Sequence, residues 1–348
     1  MPKLLEKALE KRWELQRPFV FFSHPNERFV HHYWQDDLQL QKTPIQEVNG
    51  FVLAPFELQN EHPFISDAQH RQYNRPEVKN IPDNLALPKE THYKESFLAL
   101  IDKTRKQIEK GTFQKVVLSR PIHLPDASGH PVAMFLAMLS YFPKAMVYLW
   151  HHPQVGTWLG ASPEQFLKIE GDQLYTMALA GTLPATSAPQ WSSKEIEEQE
   201  LVVEDIVQIL QKQFPKKAIT LSPPYNRTAG NLVHLCTDIT VVASEFSLNQ
   251  LTKALHPTPA VGGVPSEKAK RYILDNEGYS RGFYSGFFGP VGKHSANLYV
   301  NLRCMQWSTT NTTLFVGGGI TRKSEPEMEW EETQRKASIL YNLSLGSL

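Results

Sequence analysis

Apolar residues recur along this chain with two different periods. A helical period runs through Met1–Gln16, where Lys and Glu alternate with Leu to give an amphipathic helix. It returns at Tyr93–Lys110, where Phe97, Leu98, Leu100, Ile101 and Ile108 share one face. Ser193–Gln213 opens on a serine cap followed by acidic residues, as a helix N-terminus favours. Pro265–Asn276 opens with Pro and Ser, and Pro326–Leu343 is acidic first and basic later, so both read as helices.

Between these lie β-branched and apolar stretches. Phe19–Phe22 and Phe51–Pro55 are short strand candidates, and Lys115–Leu124 and Ala145–His151 are longer ones. Thr157–Leu183 predicts two or three strands with a turn at Glu170-Gly171-Asp172. Asn297–Trp307 and Thr312–Ile320 predict an antiparallel pair turned at Ser308–Asn311. The proline-rich run Asn74–Pro88 reads as a loop or linker. No internal repeat is present. Clustered helices and hairpin-spaced strands predict an α+β protein with antiparallel sheets, not an alternating parallel one.

Composition narrows the partners. The chain has 348 residues, 41% of them hydrophobic and 21% charged, which is enough for one large domain or two ordinary ones. Lys+Arg and Asp+Glu are both 36. A balanced charge offers no polyanion-binding surface, so nucleic acid is not an expected partner. The two cysteines, Cys236 and Cys304, form no metal or redox spacing and read as reduced core thiols. The most apolar region, Val132–Trp150, is interrupted by Ser140, Pro143 and Lys144, so no membrane span is expected. The N-terminus lacks the apolar stretch of a signal peptide, and the expected location is cytoplasmic.

Two features carry candidate chemistry. The helix at 193–213 bears Glu195, Glu197, Glu198, Glu200, Glu204 and Asp205, and the one after Gly319 bears Glu325, Glu327, Glu329, Glu331 and Glu332. They can be two solvated acidic helix starts, or each can lend a carboxylate to a hard cation such as Mg²⁺. Gly317-Gly318-Gly319 precedes the second helix. It can be a plain tight turn, or a cradle of backbone N–H groups for a carboxylate.

Seven strings then occur in order: KVVLSR (115–120), GASPEQFL (160–167), ALAGT (178–182), HPTPAVGGVP (256–265), RGFYSGFFGPVG (281–292), LRC (302–304) and GGGITRKSEPEMEWEETQRKA (317–337). Together they resemble the chorismate-binding enzymes: isochorismate and salicylate synthases, and the synthase subunits for anthranilate and aminodeoxychorismate. The resemblance is closest to the isochorismate synthases. It implies two antiparallel β-sheets packed together with helices outside and the site between the sheets' edges. It also implies a single domain over 1–348, with a catalytic core at 93–345 and a shortened N-terminal part at 1–90.

The resemblance assigns roles. Glu198 and Glu332 match the two glutamates that bind Mg²⁺, which holds the ring carboxylate of chorismate. Gly318, Gly319, Gly181 and Thr182 fall where the chain contacts substrate. Arg303 matches the arginine that pairs with the enolpyruvyl carboxylate, a task for a planar bidentate donor. Lys336 lies one turn beyond Glu332 and can reach the same pocket. His234 matches a histidine near the ring hydroxyl, or is a satisfied core imidazole.

Lys115 discriminates among the branches. Ammonia-using relatives carry Gln at that place; isochorismate and salicylate synthases carry Lys, as the base that activates water. Burial in an apolar strand is expected to help neutralise it. Glu164 matches the general acid, whose pKa must be raised. The implied activity is Mg²⁺-dependent isomerisation of chorismate to isochorismate, which feeds menaquinone or siderophore biosynthesis. Salicylate synthase is the alternative, and a chorismate-binding module without catalysis a more distant one. No glutamine amidotransferase subunit is expected, and the expected state is a monomer.

Overall fold

The computed structural model describes residues 2–82, 84–89, 93–124, 129–184, 189–229 and 232–346. Helix α1 (Pro2–Leu15) is followed by strands β1 (Phe19–Ser23), β2 (Phe29–Trp34), β3 (Lys42–Thr43), β4 (Gly50–Ala54), β5 (His62–Ser66) and β6 (His70–Asn74). Helix α2 (Lys94–Glu109) leads into β7 (Lys115–Leu124) and α3 (Pro131–Tyr141). Then come β8 (Met146–His152), β9 (Gly156–Ser162), β10 (Gln165–Glu170) and β11 (Gln173–Pro184). After α4 (Ser193–Gln213) lie β12 (Ile219–Leu221), β13 (Tyr225–Ala229), β14 (Leu232–Val242), α5 (Leu248–Leu255), β15 (Gly263–Val264) and α6 (Ser266–Asn276). The last elements are β16 (Phe287–Gly292), β17 (Ser295–Val300), β18 (Cys304–Trp307), β19 (Thr312–Ile320) and α7 (Pro326–Ser344).

The strands form two sheets, and the expected α+β architecture is the one observed. The first sheet runs β15-β7-β19-β18-β9-β8-β1-β2-β6; the second runs β12-β14-β11-β10-β17-β16-β4-β5-β3, with β13 also on β14. Neighbouring strands pair antiparallel. Residues before 90 supply β1, β2 and β6 to the first sheet and β3, β4 and β5 to the second.

Alternation along the strands sorts side chains into layers. In β1, Val20 and Phe22 face the second sheet, while Phe19 and Phe21 face the helices. The inter-sheet layer is aromatic: Phe22, Phe51, Tyr148, Trp150, Trp158, Phe288 and Phe315 are all buried there. Helices α1, α3 and α7 cover the outside of the first sheet through residues such as Leu9, Phe135 and Leu340. Helices α4 and α5 cover the second through Val202, Ile206, Leu210 and Leu251. No helix among the described residues is long and apolar enough to cross a membrane.

Three local departures from the sequence reading matter. Asn297–Trp307 is not one strand but two, β17 in the second sheet and β18 in the first. The break is made by Asn301, whose buried side chain accepts from Tyr148 Oη at 2.9 Å and donates to the Phe283 carbonyl at 2.9 Å. Arg303 then turns the chain with φ of 46°. Within Val132–Trp150 the anticipated strand, β8, is preceded by a buried helix, α3, whose all-round apolarity gives no readable period. Strand β14 was not predicted, because His234, Cys236 and Asp238 interrupt its apolar positions.

Candidate active site

One end of each sheet contributes a wall to a cavity of about 820 Å³ of empty space, part of it open to solvent. Strands β7 and β19 and helix α7 approach from the first sheet, and β11, β14 and helix α4 from the second. Glu164, Gly181, Glu198, His234, Arg303, Gly318, Gly319, Glu332 and Lys336, all anticipated from the sequence, line it. The side chain of Thr182 lies outside the described residues; its backbone continues β11.

The glycine strand is there because carboxylates pack against it. β19 pairs with β7 so that Gly318 faces Leu118 and Gly319 faces Val117. A Cβ on Gly319 would collide with Glu198 Oε1 and lie 3.0 Å from Lys115 Cε. A Cβ on Gly318 would lie 3.5 Å from Glu329 Oε2 and 3.9 Å from Glu332 Oε1. Three carboxylates therefore converge on two glycines. They are hard oxygen donors beside an open cavity, the kind a small divalent cation takes together with water and an anionic ligand, but their three oxygens do not all lie within 4.8 Å of one another here. Glu329, buried at 1% exposure, was not singled out as a ligand by the sequence; it belongs to an acidic run in which only the fold distinguishes one face from another.

The lysines bracket this acidic face. Lys115 is 1% exposed, as anticipated, but its surroundings are not simply apolar: Nζ lies 3.0 Å from Glu198 Oε1. Lys336 Nζ lies 2.7 Å from Glu332 Oε1 and donates to the Gly317 carbonyl at 3.2 Å.

Glu164 sits between β9 and β10 with 2% exposure. Its backbone is clamped: Val300 N–H donates to its carbonyl at 3.0 Å, and its own N–H donates to Ser162 Oγ at 3.3 Å. Burial pushes its carboxyl up to about 7, against the opposing pull of Lys115 and of a Thr258 hydroxyl at 3.4 Å. Thr258 was missed as an individual residue, although it lies inside one of the seven strings.

His234 and Arg303 form a relay. The His234 Nδ1 lies 2.9 Å from the Gly181 carbonyl, which can only accept. Its Nε2 lies 3.1 Å from Arg303 Nη2, which can only donate. The ring is thus neutral with its proton on Nδ1. Burial, then Arg303 and Lys336, hold its pKa down to about 3. With both nitrogens engaged, His234 orients Arg303. Gly181 keeps the facing turn open at φ of 69°; a Cβ there would come within 3.0 Å of Glu195 Cβ.

Two buried arginines hold the walls. Arg281 pairs with Glu277 and donates to the carbonyls of Val117 and Val261, each within 2.9 Å, so β7 and the loop before β15 stay in place. Arg120 donates to Thr333 Oγ1 and Gln334 Oε1, each at 3.0 Å, and stacks 3.9 Å over Trp330, which fixes α7 to β7.

Known proteins resemble the chain in sequence and fold. A family model described as chorismate binding enzyme matches residues 54–343. A putative isochorismate synthase MenF of Mycobacterium tuberculosis is 34% identical over 258 residues, which is 68% of this chain and 69% of that protein. Isochorismate synthase MenF of Escherichia coli K12 is 31% identical over 287 residues, 76% of this chain and 64% of that one. The solved structure of the menaquinone-specific isochorismate synthase MenF from Escherichia coli superposes with a TM-score of 0.78 at 22% identity, covering 94% of this chain and 88% of that one.

Proposed function

The chain belongs to the chorismate-binding enzymes, and from that premise we propose that it isomerises chorismate to isochorismate with the aid of Mg²⁺. One observation carries the choice of reaction: a buried carboxyl pushed up to about 7, Glu164, lines the cavity, and the buried Lys115 feels its charge and lies 3.0 Å from Glu198, which lines the same cavity. That division suits an acid and a base acting in one turnover. Curated relatives named isochorismate synthase support it.

Glu198 and Glu332, with Glu329 beside Glu332, would hold Mg²⁺. Bound there, the ion supplies positive charge that fixes a substrate carboxylate. Arg303, aimed by His234, pairs with the second carboxylate of chorismate, and the Gly318 and Gly319 backbone lies along the substrate. Lys336 adds positive charge at the same wall. Lys115 takes a proton from the water whose oxygen bonds to C2. The ring double bonds shift, the C4–O bond breaks, and Glu164 gives its proton to the departing hydroxyl, which leaves as water. The reading includes one domain over 1–348, a monomer, a cytoplasmic setting and no amidotransferase subunit.

The test is turnover in Lys115→Gln and Glu164→Gln. Each is expected to lose at least about 100-fold in kcat, the usual worth of a positioned proton-transfer group. Near wild-type turnover in either would remove that residue from the mechanism.

A further inference from the structure

The hairpin between β1 and β2 carries a second group of chelating side chains, none of which lines the active cavity. One ligand atom each from His24, Glu27 and His31 lies within 4.8 Å of the other two. A tetrahedral ion with bonds of about 2.1 Å sets its ligands about 3.4 Å apart, so small side-chain rotations close the set. We propose that His24, Glu27 and His31 form a binding site for an imidazole-preferring divalent cation of the zinc type.

Each ligand is held from behind, as metal ligands are. Glu27 Oε2 accepts the His24 backbone N–H at 3.3 Å, which leaves Oε1 facing His31 Nε2 at 2.9 Å. The other ring nitrogen of His31 lies 3.2 Å from His70 Nε2. His24 Nδ1 faces the Asn297 Nδ2 donor of β17 at 3.1 Å, so binding an ion at Nε2 moves the ring proton to Nδ1 and turns the Asn297 amide to present its oxygen there. Phe22 stacks on the His31 ring at 5.0 Å. The hairpin itself is rigid: Asn26 holds φ of 59° and bonds the Pro143 carbonyl at 2.7 Å, and Arg75 donates to the His24 carbonyl at 3.3 Å.

Without an ion, His31 Nε2–H donates to Glu27. With an ion on Nε2, the ring proton resides on Nδ1 and donates to His70 Nε2 at 3.2 Å, displacing the Gln72 amide N–H that lies 3.4 Å from the same nitrogen. Two imidazoles, one carboxylate and an open fourth position form a donor set that zinc accepts and magnesium does not favour.

The test is calorimetric titration of Zn²⁺ into the full-length protein, stripped by chelator and kept in Mg²⁺. The proposal expects about one zinc equivalent, bound at least tenfold more weakly in each of His24→Gln, Glu27→Gln and His31→Ala. It also expects that equivalent to persist in Glu198→Gln, and zinc to raise the Tm of the wild type but not of the three variants. Glu27→Gln is nearly isosteric, so it carries the test if a histidine variant fails to fold. Zinc affinity unchanged by Glu27→Gln and His24→Gln, or a sole zinc equivalent lost in Glu198→Gln, would overturn it.

Discussion

A glutamate in water ionises near pH 4.5; Glu164, sealed between β9 and β10, is pushed up to about 7. Two consequences follow at this one residue. As the acid it must be protonated, so kcat/KM falls above about pH 7, and a pH–rate profile of Glu164→Asp should move that limb while Glu164→Gln abolishes turnover. The second concerns stability. A raised folded pKa means stability is full below pH 4.5 and is lost as pH rises through 7, by on the order of 3 kcal/mol. At pH 8, Glu164→Gln is therefore expected to be inactive yet to have a higher Tm than the wild type; an equal or lower Tm there would deny that ionised Glu164 is held at a cost. Much of this residue's role was legible from its string. The raised pKa was only anticipated, because the burial that causes it comes from the packing of the two sheets, with Val300 and Thr258 brought to Glu164 from distant segments.

Elements place these residues, and here the sequence was less complete. Helices α4 and α7 were legible because each opens on acidic residues, Glu195 in α4 and Glu327 and Glu329 in α7, with Pro326 starting the latter. The split of Asn297–Trp307 was not, since both halves are apolar and the break depends on hydrogen bonds to Tyr148 and Phe283. Nor was the selection of Glu329 from the acidic run, which needs the register of α7 over Gly318. Arg120 sets that register. Arg120→Met should cost about 3 kcal/mol, because Thr333 and Gln334 lose a buried donor. Arg120→Lys should fold but weaken the activating Mg²⁺ roughly tenfold, read from the Mg²⁺ dependence of rate. Unchanged Mg²⁺ dependence would detach α7 position from metal binding.

For the whole molecule, the two sheets enclose an aromatic layer, and the fold keeps several histidines neutral within it and beneath its helices. His32, His62, His151, His234 and His256 are all less than 9% exposed, and burial lowers each pKa to about 4 or below. The unfolded chain binds protons at these sites below pH 6.5, and the folded chain does not. Stability is therefore lost as pH falls through 6.5 toward 4, by about 2 kcal/mol per histidine at pH 5. Five such groups rival the net stability of an ordinary domain. Thermal unfolding should show Tm dropping steeply between pH 6.5 and 5; a flat Tm across that window would contradict the neutral assignments.

The fate of chorismate separates isochorismate synthesis from pyruvate elimination, and product analysis reads it directly. The purified protein, incubated with chorismate and Mg²⁺ and resolved by chromatography, is expected to yield isochorismate at equilibrium with chorismate, with no pyruvate released. Salicylate and pyruvate in equal amounts would contradict isochorismate synthesis, as would chorismate left unconsumed.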